Sequence, residues 1–251
     1  WVEPAYLETD ASWCEPGGEP SSPLANGGAF GGKVASPAPT AARQLADRHG
    51  RPVLVLLSRE DTVRLGPKRP PVAAGVDADG RGVVRVARTP GIAEAIGLGR
   101  LDVAIEEVDL PGPPTSAAVR AAGWAEMAVL AAGLRGEREV QVTDPRTGAV
   151  ATALVEDGGI AVRVRCGAAL DDVVLRSYCT GAAHQGLGWV TSEGIAVDDA
   201  GEPQDLTIRS FGVLRAVDMP PVTVDIDDDG DEPVSGSDAV FAAVAGAAWV
   251  A

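Results

Sequence analysis

The sequence predicts an α+β fold, with mixed sheets, hairpins and helices that do not alternate strictly. Three observations carry this. Short apolar runs suited to strands recur along the whole chain. Two pairs of them flank turn-forming segments, Asp77-Ala78-Asp79-Gly80 and Asp144-Pro145-Arg146-Thr147-Gly148, at hairpin spacing. Helical stretches fall unevenly between them, against the regular strand–helix order of a doubly wound parallel sheet.

In chain order, residues 5–13 are strand-like. Residues 40–49 form a short helix, with Pro39 at its first turn and Gly50 as its stop. The unbroken apolar run 53–57 suits a buried strand. Strands at 72–76 and 83–87 make the first hairpin, and another strand covers 103–108. A proline-rich loop at 110–114 leads into the longest helix, 117–134, with Thr115 or Ser116 available as its cap. Strands at 141–143 and 149–154 make the second hairpin. Residues 160–165 alternate apolar and basic, as a half-exposed strand does. A glycine-interrupted helical stretch spans 173–193, strands follow at 206–214 and 222–226, and a helix closes the chain at 238–250. No internal repeat is visible. A composition change near residues 136–138 divides the chain into 1–136 and 137–251.

Bulk properties narrow the function. A chain of 251 residues, 45% apolar, can bury a sizeable core as one large domain or two smaller ones. A net charge of −15 repels nucleic acid and anionic membranes, so neither is an expected partner. No apolar run reaches the ~18 residues of a membrane span. The opening Trp1-Val2-Glu3-Pro4 has no signal-peptide pattern, and it lacks Met, as a processed or partial product would. Cys14, Cys166 and Cys179 are widely spaced and read as reduced core thiols of a cytoplasmic protein. With His49 and His184 as the only histidines, side chains alone supply no transition-metal centre and no iron–sulfur cluster.

The run from Gly27 to Lys33 fits the first seven positions of a phosphate-binding P-loop. Val34 stands where that loop needs Ser or Thr for Mg²⁺. The preceding residues 15–23 hold three prolines and two glycines, so they form no buried strand. Pro37 and Pro39 keep a helix from starting at Lys33. Asp225-Ile226-Asp227-Asp228-Asp229-Gly230 matches half of a calcium loop, but Gly236 occupies the twelfth position, where a bidentate Glu belongs. It reads as an acidic surface turn.

Asn26 to Lys33 (NGGAFGGK) resembles the GGGFGGK loop of molybdenum hydroxylase large subunits, the xanthine dehydrogenase and aldehyde oxidase family. Further elements follow in that family's order. The run from Arg51 to Asp61 (RPVLVLLSRED) is similar to its RPV strand and acidic turn, with Lys68-Arg69-Pro70 and a hairpin after it. The run from Ala117 to Gly123 (AAVRAAG) is similar to its GAxRGxG element. The run from Gly181 to Trp189 (GAAHQGLGW) is similar to its GxxxQGLG helix, and Ala216 to Pro220 (AVDMP) to its DxP approach to a strand.

The resemblance implies molybdopterin as cofactor, with or without a dinucleotide tail, whose dithiolene supplies the metal's sulfur ligands. Gly27, Gly28, Ala29, Phe30, Gly31 and Gly32 would approach it through backbone N–H groups. Arg120 would neutralise an anion or orient a substrate carbonyl, and Gln185 with Gly186 would offer further cofactor contact. The implied chemistry is hydroxylation of a heterocycle or oxidation of an aldehyde. Electrons would pass to separate iron–sulfur and FAD subunits, since this chain carries no cluster or flavin of its own.

The family's catalytic Glu has its nearest counterpart in Asp238 of Ser235-Gly236-Ser237-Asp238; a local alternative makes Ser237 or Asp238 the N-cap of the last helix. The chain is far shorter than the family's large subunits. It lacks their GQG-type and Ser-rich cofactor loops, and it carries Ala121 at the second Gly of GAxRGxG and Tyr178 at a usual Gln. These departures suit an alternative: a non-catalytic relative acting as an assembly or scaffold subunit.

Overall fold

A computed structural model describes residues 1–2, 8–25 and 27–251. Asn26 of the glycine loop and residues 5–7 of the strand-like start lie outside the described residues. The architecture is α+β, as the sequence predicts, with three separate sheets among the described residues.

The first sheet pairs β1 (Ala11–Cys14) antiparallel with β2 (Val53–Leu56). Helix α1 (Ala38–His49) begins two residues before the predicted start and ends at Gly50, whose φ of 61° is left-handed. It covers one face of the sheet, where Cys14, Ala42, Ala46, Val53 and Val55 form a small core. The expectation of a fully buried strand fails here. Leu54 and Leu56 are each 64% exposed, beside the exposed Trp13, because a two-stranded sheet with one helix covers only alternate side chains. Helix α2 (Arg59–Leu65), which the sequence reading treats as a turn, starts at a reciprocal capping box between Ser58 and Asp61.

The second sheet has the order β3 (Val72–Val76), β4 (Arg81–Ala87), β5 (Asp102–Val108). The predicted hairpin joins β3 to β4, and β5 returns parallel to β4 through α3 (Ile92–Gly97). The predicted long helix proves shorter: α4 runs Trp124–Arg135. Ala121 at φ 53° and Gly123 at φ 89° break any helical path through residues 117–123. The helix start is satisfied by Glu126, whose Oε2 accepts the Gly123 N–H at 2.8 Å, and not by Thr115 or Ser116.

The third sheet runs β6 (Glu139–Thr143), β7 (Val150–Glu156), β8 (Gly159–Arg165), β9 (Val222–Ile226), antiparallel except for the parallel β8–β9 pair. Two helices, α5 (Asp172–Thr191) and α6 (Ser237–Val250), complete this region. Helix α6 is buried from Ala239 to Ala247. A helix apolar all round must be enclosed, and α6 packs on α4, α5 and the β6–β7 ladder at once. The predicted strand at 206–214 is instead a 3₁₀ turn, Ile208–Phe211, because the Ser210 hydroxyl and N–H both bond back to the Thr207 carbonyl and Gly212 at φ 69° ends the turn.

Helix α4 contributes to two cores. Trp124, Ala125 and Ala132 join the third sheet and α6, while Met127 joins Val84 and Val86 of β4 and Ile92 and Ile96 of α3. The stretch immediately before it carries Arg120.

Candidate functional site

The glycine loop folds onto the segment that precedes α4. Gly31, at φ 96°, has no room for a Cβ, since one would collide with the Ala118 carbonyl. Phe30 itself lies at φ 47°, and its carbonyl accepts the Arg120 N–H at 2.6 Å. The loop is therefore held against residues 118–120. Ala29 and Gly32 are buried, Gly28 and Phe30 are half-buried, and Gly27 is exposed. The backbone N–H groups of residues 28–31 donate to no described residue.

Arg120 is the hub. Its guanidinium carbon sits 4.6 Å from the Phe30 ring centroid, a cation–π contact. Its Nη1 donates to Gln185 Oε1 at 2.9 Å, its Nη2 to Ser237 Oγ at 3.4 Å, and its Nε lies 3.2 Å from Asp238 Oδ1. Three segments far apart in sequence thus converge on this side chain. Each of Phe30, Arg120, Gln185 and Asp238 was singled out in the sequence.

Burial opposes the charge on both members of the ion pair. It pushes the Arg120 guanidinium down, against the pull of Asp238, and pushes the Asp238 carboxyl up, against the pull of Arg120. The Asp238 side chain keeps 31% of its surface and Arg120 only 10%, so the carboxylate is the solvent-facing half. The capping alternative fails: the N-cap of α6 is Gly236, and no side chain caps it.

Gly186 has a packing role. A Cβ there would lie 2.6 Å from the Phe241 carbonyl, so its bare backbone lets α5 and α6 approach closely. His184 is held by the Leu214 carbonyl at 2.7 Å.

Behind Arg120 lies a second buried arginine that motif matching names only in passing. Arg69 grips Glu126 with both ends, Nε to Oε1 at 2.7 Å and Nη2 to Oε2 at 3.1 Å, and its Nη1 donates to the Arg120 carbonyl at 2.6 Å. It also lies 4.2 Å from the Trp189 ring centroid, and Trp189 stacks on Phe241. Glu126 could have been found from the sequence: a lone carboxylate inside the apolar run of α4 must have a partner once buried. Lys33, closing the glycine loop, is also buried, with Nζ 3.8 Å from Asp10 Oδ1. Among the described residues, neither the ammonium nor either carboxylate oxygen has a hydrogen-bond partner. Burial lowers the Lys33 ammonium, against Asp10 and Glu8.

The donor set fits a ligand bound through backbone N–H groups, because the N–H row of residues 28–31 has no described acceptor. No group of three or more His, Cys, Asp or Glu that could hold a metal ion occurs among the described residues. In the acidic segment, Asp225 of β9 pairs with Arg163 and Asp229 of the following turn pairs with Arg165. Among the described residues no helix is long and apolar enough to cross a membrane.

No protein-family model matches this sequence, and no curated protein matches it. Solved structures with a partial likeness include a Cu,Mo-CO dehydrogenase in its carbon monoxide reduced state, at 11% identity and TM-score 0.33 over 68% of this chain and 33% of that one. Quinoline 2-oxidoreductase from Pseudomonas putida 86 gives 12% and 0.31, over 70% and 34%. Aldehyde oxidoreductase from Desulfovibrio gigas gives 14% and 0.37, over 76% and 35%. The chain spans about a third of the length of each.

Proposed function

We propose that the chain is a molybdopterin-binding module of an oxidoreductase of the xanthine dehydrogenase and aldehyde oxidase kind. One observation carries the reading: the residues picked out by resemblance from four distant segments meet around Arg120. In this reading residues 1–136 and 137–251 are two cofactor-binding-like regions, the first giving Phe30 and Arg120 and the second Gln185 and Asp238. The N–H groups of residues 28–31 would hold the pterin or its phosphate, with a dinucleotide tail or without one. The Gln185 amide nitrogen remains to face the cofactor, since its oxygen is taken by Arg120.

When bound, the cofactor would supply the redox chemistry for oxidising an aldehyde or hydroxylating a heterocycle. Asp238 would accept a proton at its carboxylate, and burial raises its basicity for that task. Arg120 would fix the carboxylate's position, and the Phe30 ring would keep water from the guanidinium face. Iron–sulfur and FAD subunits would be separate chains, in a cytoplasmic complex.

A second reading, a non-catalytic scaffold subunit, is favoured by one specific feature: Asp238 is already engaged by Arg120. Molybdenum analysis of the purified protein, with fluorescence of the oxidised pterin, separates the two. Near-stoichiometric molybdenum and pterin are expected, and Asp238→Asn should keep both while losing turnover. A metal-free, pterin-free protein that copurifies with partner subunits would favour the scaffold.

A further inference from the structure

The two buried arginines are paired in opposite ways. Arg69 meets Glu126 at two points, at hydrogen-bonding distances, with both side chains almost wholly enclosed. Arg120 meets Asp238 at a single point, Nε to Oδ1 at 3.2 Å, and its next contact, to Ser237, is long at 3.4 Å. A guanidinium has five N–H donors in a planar fork that suits a two-pronged oxygen ligand. Three single contacts leave that fork incompletely used. The weakly held partner is also the solvent-facing one.

We propose that Arg120 is a self-occupied carboxylate-binding site, in which Asp238 stands in for the carboxylate of a small-molecule ligand that displaces it. The incoming carboxylate takes the guanidinium edge that Asp238 and Ser237 now share, stacks beside Phe30, and keeps the Gln185 contact in place. The ligand class follows from the stand-in. A planar, singly charged carboxylate occupies the position now, and two oxygens would pair with the fork better than the one supplied from α6. The inference stands on the arginine's own geometry and does not require that the chain bind molybdopterin.

The test is a thermal-shift titration of the protein as purified, with sodium acetate, sodium benzoate and sodium sulfate against sodium chloride at matched ionic strength. Chloride corrects for general screening of a protein with net charge −15. Asp238→Asn removes the internal competitor, so its apparent affinity for acetate or benzoate should be at least roughly tenfold tighter than that of wild type. Arg120→Met combined with Asp238→Asn should respond no more than to chloride. Equal responses in wild type and Asp238→Asn would overturn the proposal, as would a response to sodium sulfate but not to either carboxylate. If Asp238→Asn purifies unfolded, circular dichroism in acetate decides: recovery of structure in acetate but not in chloride supports the site, and no recovery overturns it. Molybdenum content is measured on the same samples, so loss of the carboxylate response and loss of the cofactor reading are told apart.

Discussion

Arg69 and Arg120 touch through one carbonyl, yet Arg69 meets its carboxylate at two points and Arg120 at one, so they should answer mutation differently. Removing one partner of the Arg69–Glu126 pair leaves a buried uncompensated charge, which typically costs about 3–5 kcal/mol. Arg69→Met and Glu126→Leu should each fall in that range by urea denaturation. Combined, they should cost less than the sum by ~2 kcal/mol or more, the signature of direct coupling. The pH dependence of Asp238 has a definite sign. Burial raises its native pKa above the ordinary 3.8, so from about that pH upward the unfolded chain gives up this proton before the native protein does. Stability contributed by this group therefore falls as pH rises, until the carboxyl is ionised in both states. Asp238→Asn should flatten that limb of the stability profile. Motif order singled out Phe30, Arg120, Gln185 and Asp238, which the structure brings together, because motif order does not depend on packing. The sequence left Glu126 unassigned and offered Ser237 only as a helix cap, since their contacts with Arg69 and Arg120 exist only where α4 and α6 meet the loop segments.

Elements here are set by where backbone must come close. Gly186 lets α5 lie against the Phe241 carbonyl of α6, so Gly186→Ala should cost roughly 1–3 kcal/mol by overpacking. Gly31→Ala combines left-handed strain, about 1–3 kcal/mol, with a collision against the Ala118 carbonyl. It should be less stable in urea and should loosen the loop from Arg120, read as faster amide exchange at Arg120, whose N–H is held by Phe30. Helix α4 shows why boundaries were harder to read than elements. Its apolar pattern is continuous back to Ala117, but the left-handed Ala121 is invisible in a list of propensities, because Ala is a strong helix former. Only the close fit of residues 118–121 to the glycine loop and α3 overrides that preference. The same logic turned residues 206–214 from strand into a 3₁₀ turn, where local Thr207–Ser210 bonds outcompeted pairing that no neighbouring strand was placed to offer.

At the scale of the molecule, charge and thiols give the clearest tests. With a net charge of −15, self-repulsion opposes compaction, so the melting temperature should rise as salt goes from ~0.01 M to ~0.1 M and the screening length falls from ~30 Å to ~10 Å. All three cysteines are buried and unpaired, and burial beside Cys166 pushes the Cys179 thiol up to about 11. Native protein at pH 8 should therefore resist iodoacetamide at Cys179, with all three thiols alkylated after unfolding, as read by mass spectrometry.

By itself the sequence determined the α+β class, both hairpins, the closing helix and the residue types of the Arg120 cluster. Each of these follows from local periodicity, turn chemistry or motif order. The tertiary structure alone decided that Asp238 faces Arg120 and caps nothing, that Gly186 serves a helix crossing, and that half of β2 looks outward. Those outcomes depend on which surfaces meet between segments distant in the chain, and an ion pair, a close approach or a covered face has no signature until both sides are in place.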